Sequence, residues 1–269
     1  MRLRSIVAVP ARAALEPALE SEADAIALPL NDARFSSPEL RHAFTAALPR
    51  IVAAGKLALA VVNHPRTRLL RDDLDAIVAS GLAAVLLPHA ADPQDARDLA
   101  VLLREFEYTR GIEPGTVAAF PVIDSARGLL RAAEIAHAAP RVSGLVFDAT
   151  GYARDISARE EEHGPRLAYA RGAVVAAARA SDLLPLVAGS HLEARSLAQY
   201  GFAGLVLREA GSAVVVANTA FAPTEAARAR AQRQLDAYGA ARGEGDWVAR
   251  VDDEAVDAHD ARKARQLLA

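Results

Sequence analysis

The stretch Phe120–Asp148, FPVIDSARGLLRAAEIAHAAPRVSGLVFD, decides the fold. Apolar residues run unbroken from Val117 to Ile123 and stop at an acid, Asp124. Leu129, Leu130, Ala133, Ile135 and Ala136 follow at helical spacing, and Pro140 closes the helix. A second apolar run, Val142 to Phe147, stops at another acid, Asp148. Runs without alternation suit strands buried on both faces, and such strands are usually parallel and joined by helices. The stretch is therefore one strand–helix–strand unit. Its polar residues sit just past the strand ends, where folds of this kind do chemistry.

The same unit recurs outward in both directions. Strand-like runs are predicted over Ser5–Val9, Ala25–Leu30, Leu57–Val62 and Ala83–Leu87 before it, and over Leu183–Ala188 and Phe202–Leu207 after it. Helical patterns lie between them: Arg12–Leu19, Leu40–Ile51 behind a Ser36 or Ser37 cap with Pro38, Asp72–Ala79, Asp92 to about Phe106, Arg166–Ala180 and Leu192–Gln199. Eight strand–helix repeats predict an α/β fold, a (β/α)₈ TIM barrel. The alternative, a doubly wound open sheet, would more often place a Gly-rich phosphate turn after its first strand, and Pro10–Leu15 has none. The barrel-type domain is expected over residues 1–222. Residues 223–269 are expected to form a helical extension, Thr224–Ala241 and Asp253–Leu268 around a GEGDW turn, packing on the barrel or a neighbouring subunit. Gly151–Gly164 is polar and charge-dense, and is predicted to be a surface loop.

Composition narrows the function classes. With 269 residues, 52% of them hydrophobic, the chain can bury a large core. A net charge of −3 argues against a nucleic-acid partner. With no cysteine there are no disulfides, thiolate metal sites or thiol nucleophiles. No apolar run reaches the length of a membrane span, and the N-terminal stretch does not read as a signal peptide, so a cytoplasmic protein without a membrane partner is expected.

In a barrel the strand ends gather at one mouth. That mouth would hold Asn31, Asp32, Asn63, His64, His89, Asp124, Asp148, Ser190, His191, Arg208 and Glu209, with Arg12, Arg66 and Arg127 near the rim. Asp124, His89 and Asp32 are the expected acid–base residues, and Asn63, His64, Arg208 and Arg66 the expected substrate contacts. The convergent carboxylates Asp32, Asp124 and Asp148 suit Mg²⁺, with water and substrate oxygens completing the coordination. Carboxylates and arginines together also suit a small acid, which arginine grips through two parallel hydrogen bonds. Asp92 and Asp148 read equally well as helix caps. His42, His137, His163 and His259 read as surface or packing residues.

These residues carry a resemblance to the HpcH/HpaI aldolase and citrate lyase beta-subunit superfamily, nearly end to end. Arg4-Ser5 with Val9-Pro10 resembles its opening RS…VPG, and Ala23–Ile26 with Leu30–Ala33 resembles ADAVILDLEDAV. Ile123–Leu130 resembles IETARGLL, Tyr169-Ala170-Arg171 matches YAR, Gly201–Gly204 resembles GFDG, and Asn218–Thr224 matches NxAFxPT. The resemblance implies a trimeric or hexameric TIM barrel. It also implies a Mg²⁺ ion held by the acid of IET and an Asp of GAEDL, with an Arg of VRVN assisting. The implied chemistry is aldol or Claisen cleavage of a small hydroxy or keto acid, or of its CoA thioester. The chain departs from that pattern at the site. Asp124 replaces the IET glutamate, Thr150 and Gly151 fall on the Glu-Asp of GAEDL, Val61 on the arginine, His89 on the lysine of LPK, and Leu207–Gly211 on IHPAQ. The expectation is a carbon–carbon lyase with an eroded metal site. A thioester hydrolase and a non-catalytic partner protein on the same fold are the alternatives.

Overall fold

A computed structural model of the chain describes residues 3–10, 13, 15–32, 34–158 and 167–268. The strands of the first compact unit, residues 3–221, are β1 (Ser5–Ala8), β2 (Ala25–Pro29), β3 (Leu57–Val61), β4 (Leu82–Leu87), β5 (Ala118–Ile123), β6 (Gly144–Asp148), β7 (Leu184–Ala188) and β8 (Gly204–Leu207). They close into a parallel barrel in chain order, with β1 hydrogen-bonded to β8. The eight runs were legible to within one or two residues at most ends, and the open-sheet alternative falls. The helices of this unit are α1 (Glu16–Glu20), α2 (Ser37–Ala53), α3 (Leu70–Ile77), α4 (Pro93–Thr109), α5 (Ala126–Leu130), α6 (Ala132–Ala136), α7 (Ala149–Asp155), α8 (Ala168–Ala180), α9 (Ala194–Gln199) and α10 (Ser212–Ala220).

Strand pleating sorts the apolar residues into two cores. Ile6, Ala25, Ala27, Leu59, Ala84, Leu86, Phe120, Val122, Val146 and Leu186 fill the barrel interior. The alternate residues, among them Val7, Ile26, Ala60, Val85, Ile123, Phe147, Val187 and Leu205, pack in the larger core with helical residues such as Phe44, Leu74, Leu99, Leu103 and Val174. Large and small side chains interlock inside: a Cβ on Gly144 would lie 2.5 Å from the Phe120 ring. This pleat decides which strand-end residues look inward. Asp124 follows Phe120 and Val122, Asp148 follows Val146, and Arg208 follows Val206.

Three sequence expectations need correction. The single helix predicted after Asp124 is two short ones, α5 and α6, meeting at Arg131. The segment predicted as a polar loop from Gly151 begins inside α7, because the Asp148 side chain accepts the N–H groups of Thr150 and Gly151 and starts a helix there; residues 159–166, with His163 and Arg166, lie outside the described residues. The tail, grouped separately as residues 222–269, contains α11 (Glu225–Glu244), β9 (Ala249–Val251), β10 (Glu254–Val256) and α12 (Ala258–Leu268). Its β9–β10 hairpin was missed. Asp252 and Asp253 both take positive φ, 49° and 64°, as a two-residue hairpin turn requires, but without the glycine that usually signals one. Tyr238, Val256 and Ala261 form the small core of this unit. Among the described residues no helix is long and apolar enough to cross a membrane.

Candidate active site

The register pairs Val122 with Val146 and Ile123 with Phe147, so the next inward positions, Asp124 and Asp148, are neighbours. Gly151 confirms their approach: a Cβ there would lie 2.8 Å from the Asp124 Cβ and 3.0 Å from Asp148 Oδ2. Only a residue without a side chain lets the first turn of α7 pass so close to both acids. Asp148 Oδ1 caps that turn, accepting the Thr150 and Gly151 N–H groups at 3.1 Å each.

His89 completes the group from β4. Its position falls on the outward parity of the strand, yet its φ of +58° turns the chain back toward the mouth. That left-handed conformation is uncommon without glycine and is held here by hydrogen bonds. The His89 N–H donates to Asp124 Oδ2 at 3.1 Å, and the ring Nδ1 lies 2.7 Å from the same oxygen. A carboxylate partner places the proton on Nδ1 and leaves Nε2 as an acceptor. The His89 side chain is 75% exposed, whereas Asp124 is only 7% exposed. Burial pushes the Asp124 carboxyl above the usual range, and the nearby Asp148 charge adds to this; the His89 ring and N–H oppose the shift without cancelling it.

The other expected residues are committed elsewhere, or stand apart. Asp32 binds Arg34 at 2.9 and 2.6 Å, and Arg34 holds its carboxyl below the usual range. Asn63 donates its amide to Leu30 O at 2.9 Å and to Asp73 Oδ2 at 2.7 Å. His64 Nε2 lies 3.5 Å from Asp95 Oδ2, and Arg66 donates to Asp95 Oδ1 at 3.2 Å. Arg127 pairs with Asp92 at 3.3 Å. Ser190 caps the turn that follows it, and His191 faces Glu209 at 3.6 Å. Arg208 is exposed with no ion-pair partner among the described residues, and Arg12 lies outside them. Sequence reading missed the buried acids Asp73 and Asp95, which bind Asn63, His64 and the exposed Arg66. Asp95 had a signal: it stands three residues after the Asp92 cap and completes a capping box.

Among the described residues no cluster of three or more His, Asp or Glu side chains is arranged to hold a metal ion. Asp124 Oδ1 and Asp148 Oδ2, however, accept no hydrogen bond among the described residues. Magnesium is commonly bound through one or two carboxylates, with water and substrate oxygens as its other ligands. The two oxygens fit that requirement.

The family model for HpcH/HpaI aldolase/citrate lyase matches residues 7–212. The chain belongs to this family. The citrate lyase subunit beta of Escherichia coli K12 is 31% identical over 206 residues, 73% of this chain and 68% of that protein. The (3S)-malyl-CoA thioesterase of Cereibacter sphaeroides ATCC 17025 is 28% identical over 279 residues, 99% of this chain and 93% of that protein. Among solved structures, CitE from Mycobacterium tuberculosis in complex with magnesium, acetoacetate and coenzyme A superposes with a TM-score of 0.64 at 23% identity, covering 98% of this chain and 96% of that one. That likeness shows the family's barrel.

Proposed function

We propose that the chain is a citrate-lyase-beta-like carbon–carbon lyase acting on a small hydroxy or keto acid or its CoA thioester, with His89 as the acid–base residue. The observation that carries the reading is an exposed imidazole whose Nδ1 is anchored at 2.7 Å on a buried acid. His89 Nε2 accepts the proton of the substrate hydroxyl as the carbon–carbon bond breaks. The electron pair moves to the carbon beside the carboxyl or thioester group. The imidazolium, stabilised by Asp124, returns the proton to that carbon. Arg208, at the inward position just past β8 and with no ion-pair partner among the described residues, is suited to a substrate carboxylate. Asp124 and Asp148 would hold a divalent cation, whose charge supplies stabilisation to a developing enolate oxygen.

A second reading, thioester hydrolysis, is favoured by Val61. Where the resemblance implies an arginine for the enolate, this strand end is aliphatic, while an anchored imidazole by itself can deprotonate water for attack on a thioester carbonyl. Both reactions are represented in the names of the relatives.

One assay separates them. Incubated with (3S)-malyl-CoA or citryl-CoA, with and without Mg²⁺, a lyase releases an aldehyde or ketone trapped by phenylhydrazine and no free thiol; a hydrolase releases free thiol and no carbonyl compound. Neither product, with no thermal stabilisation by the same ligands, would leave the non-catalytic alternative in place.

A further inference from the structure

We infer that Gly128 is a positioning residue for His89, an inference that rests on the proposed acid–base role of that histidine. Gly128 lies inside α5, where glycine weakens a helix relative to alanine. The helical glycines Gly172, Gly239 and Gly243 have open space where a Cβ would go. Gly128 does not. A Cβ there would lie 2.6 Å from the Ala90 carbonyl oxygen, 3.6 Å from the Ala90 carbonyl carbon and 3.2 Å from Ser125 Oγ.

The neighbour that would have to give way is backbone, and it is held on every side. The Ala90 N–H donates to Val122 O at 3.2 Å. The N–H groups of Ala91 and Asp92 donate to the buried Asp95 Oδ2 at 3.2 and 2.9 Å. The Asp92 carboxylate is held by Arg127 and Arg131. His89 immediately precedes this clamped segment in a left-handed conformation, which persists only where its surroundings over-determine it. The absence of a side chain at position 128 is what allows the β4 loop to seat against α5, with the His89 ring and N–H both on Asp124 Oδ2. A methyl group there lifts the Ala90 carbonyl and breaks that two-point contact.

The test compares wild type, Gly128→Ala and Gly172→Ala in ligand-free protein at pH 8.5, using long-range ¹H–¹⁵N spectra of the imidazoles. Wild type and Gly172→Ala should show His89 as the Nδ1–H tautomer, assigned by its loss in His89→Gln. Gly128→Ala should show the averaged shifts of mixed tautomers. In the turnover assay Gly128→Ala should lose roughly 10–100-fold in kcat with KM within about twofold, while Gly172→Ala behaves as wild type. An unchanged His89 signature in Gly128→Ala, or a changed signature with unchanged kcat, overturns the inference. Should Gly128→Ala not fold, Ser125→Ala, which frees the Gly128 N–H from its 3.1 Å cap on Ser125 Oγ and lets the turn shift against Ala90, is read by the same two outcomes. If no substrate turns over, the proposed function has failed, and the ring signature alone decides whether Gly128 sets the His89–Asp124 contact.

Discussion

A buried acid stands at each end of β5, Glu107 from α4 at its start and Asp124 just past its end, and the two are treated in opposite ways. At the start of the strand Glu107 is wholly buried and fully satisfied. It accepts the N–H groups of Val117 and Gly115 at 2.7 and 2.9 Å and a two-pronged grip from Arg141 at 3.1 and 2.8 Å. Burial works to raise its carboxyl, but Arg141 and the two N–H groups outweigh burial and hold it below the usual range. At the far end Asp124 has one imidazole, one N–H and a second acid beside it; the His89 ring and N–H do not offset burial, and its carboxyl is raised. An acid with every lone pair matched serves the fold, and one left partly unmatched at the barrel mouth is placed for the chemistry proposed above.

Four perturbations sharpen this contrast, from the largest effect down. Replacing Arg141 with alanine strands Glu107 as an uncompensated buried charge and should cost about 3–5 kcal/mol in denaturant unfolding; a loss below about 1 kcal/mol would show that the lower end is not clamped. Gly151→Ala forces a Cβ between Asp124 and Asp148 and should cost about 1–3 kcal/mol, together with any response to Mg²⁺. Millimolar Mg²⁺ should raise the Tm of wild type and leave Asp148→Asn unmoved; equal shifts in both proteins would place the ion elsewhere.

The smallest effect is the most diagnostic for charge. A depressed carboxyl such as Glu107 contributes stability at pH values above the unfolded carboxyl range, and that contribution is lost as pH falls through its folded value. Asp124 has the opposite sign. It holds its proton more tightly when folded, so its contribution falls as pH rises from the unfolded carboxyl value, about 3.9, through its raised folded value. Asp124→Asn should therefore melt at or above wild type at pH 7, with the difference closing below about pH 4. A melting temperature well below wild type at pH 7 would contradict the sign.

Much of the fold was legible because a barrel strand buried on both faces has to be apolar throughout, and the first polar residue after it marks the mouth. Asp124, Asp148 and His89 were found by that rule. It reaches no further than the strand end. Whether a polar residue faces substrate or another side chain depends on partners distant in the chain: Asp73, within a helix, gave no sign that it binds Asn63, and the capping box that marks Asp95 does not point to His64 or Arg66. The hairpin at Asp252–Asp253 was hidden because its turn residues lack glycine. The role of Gly128 could not be read either, since its close approach to the Ala90 carbonyl is made in space, between α5 and the loop after β4.

The proposed chemistry at the upper end of β5 runs through His89. The most direct measurement is kcat for His89→Gln against wild type on whichever thioester the product assay identifies. The imidazole is exposed, so the variant should fold with an unchanged melting temperature and lose about 10²–10⁴-fold in kcat. A folded His89→Gln protein that turns over at the wild-type rate would contradict it.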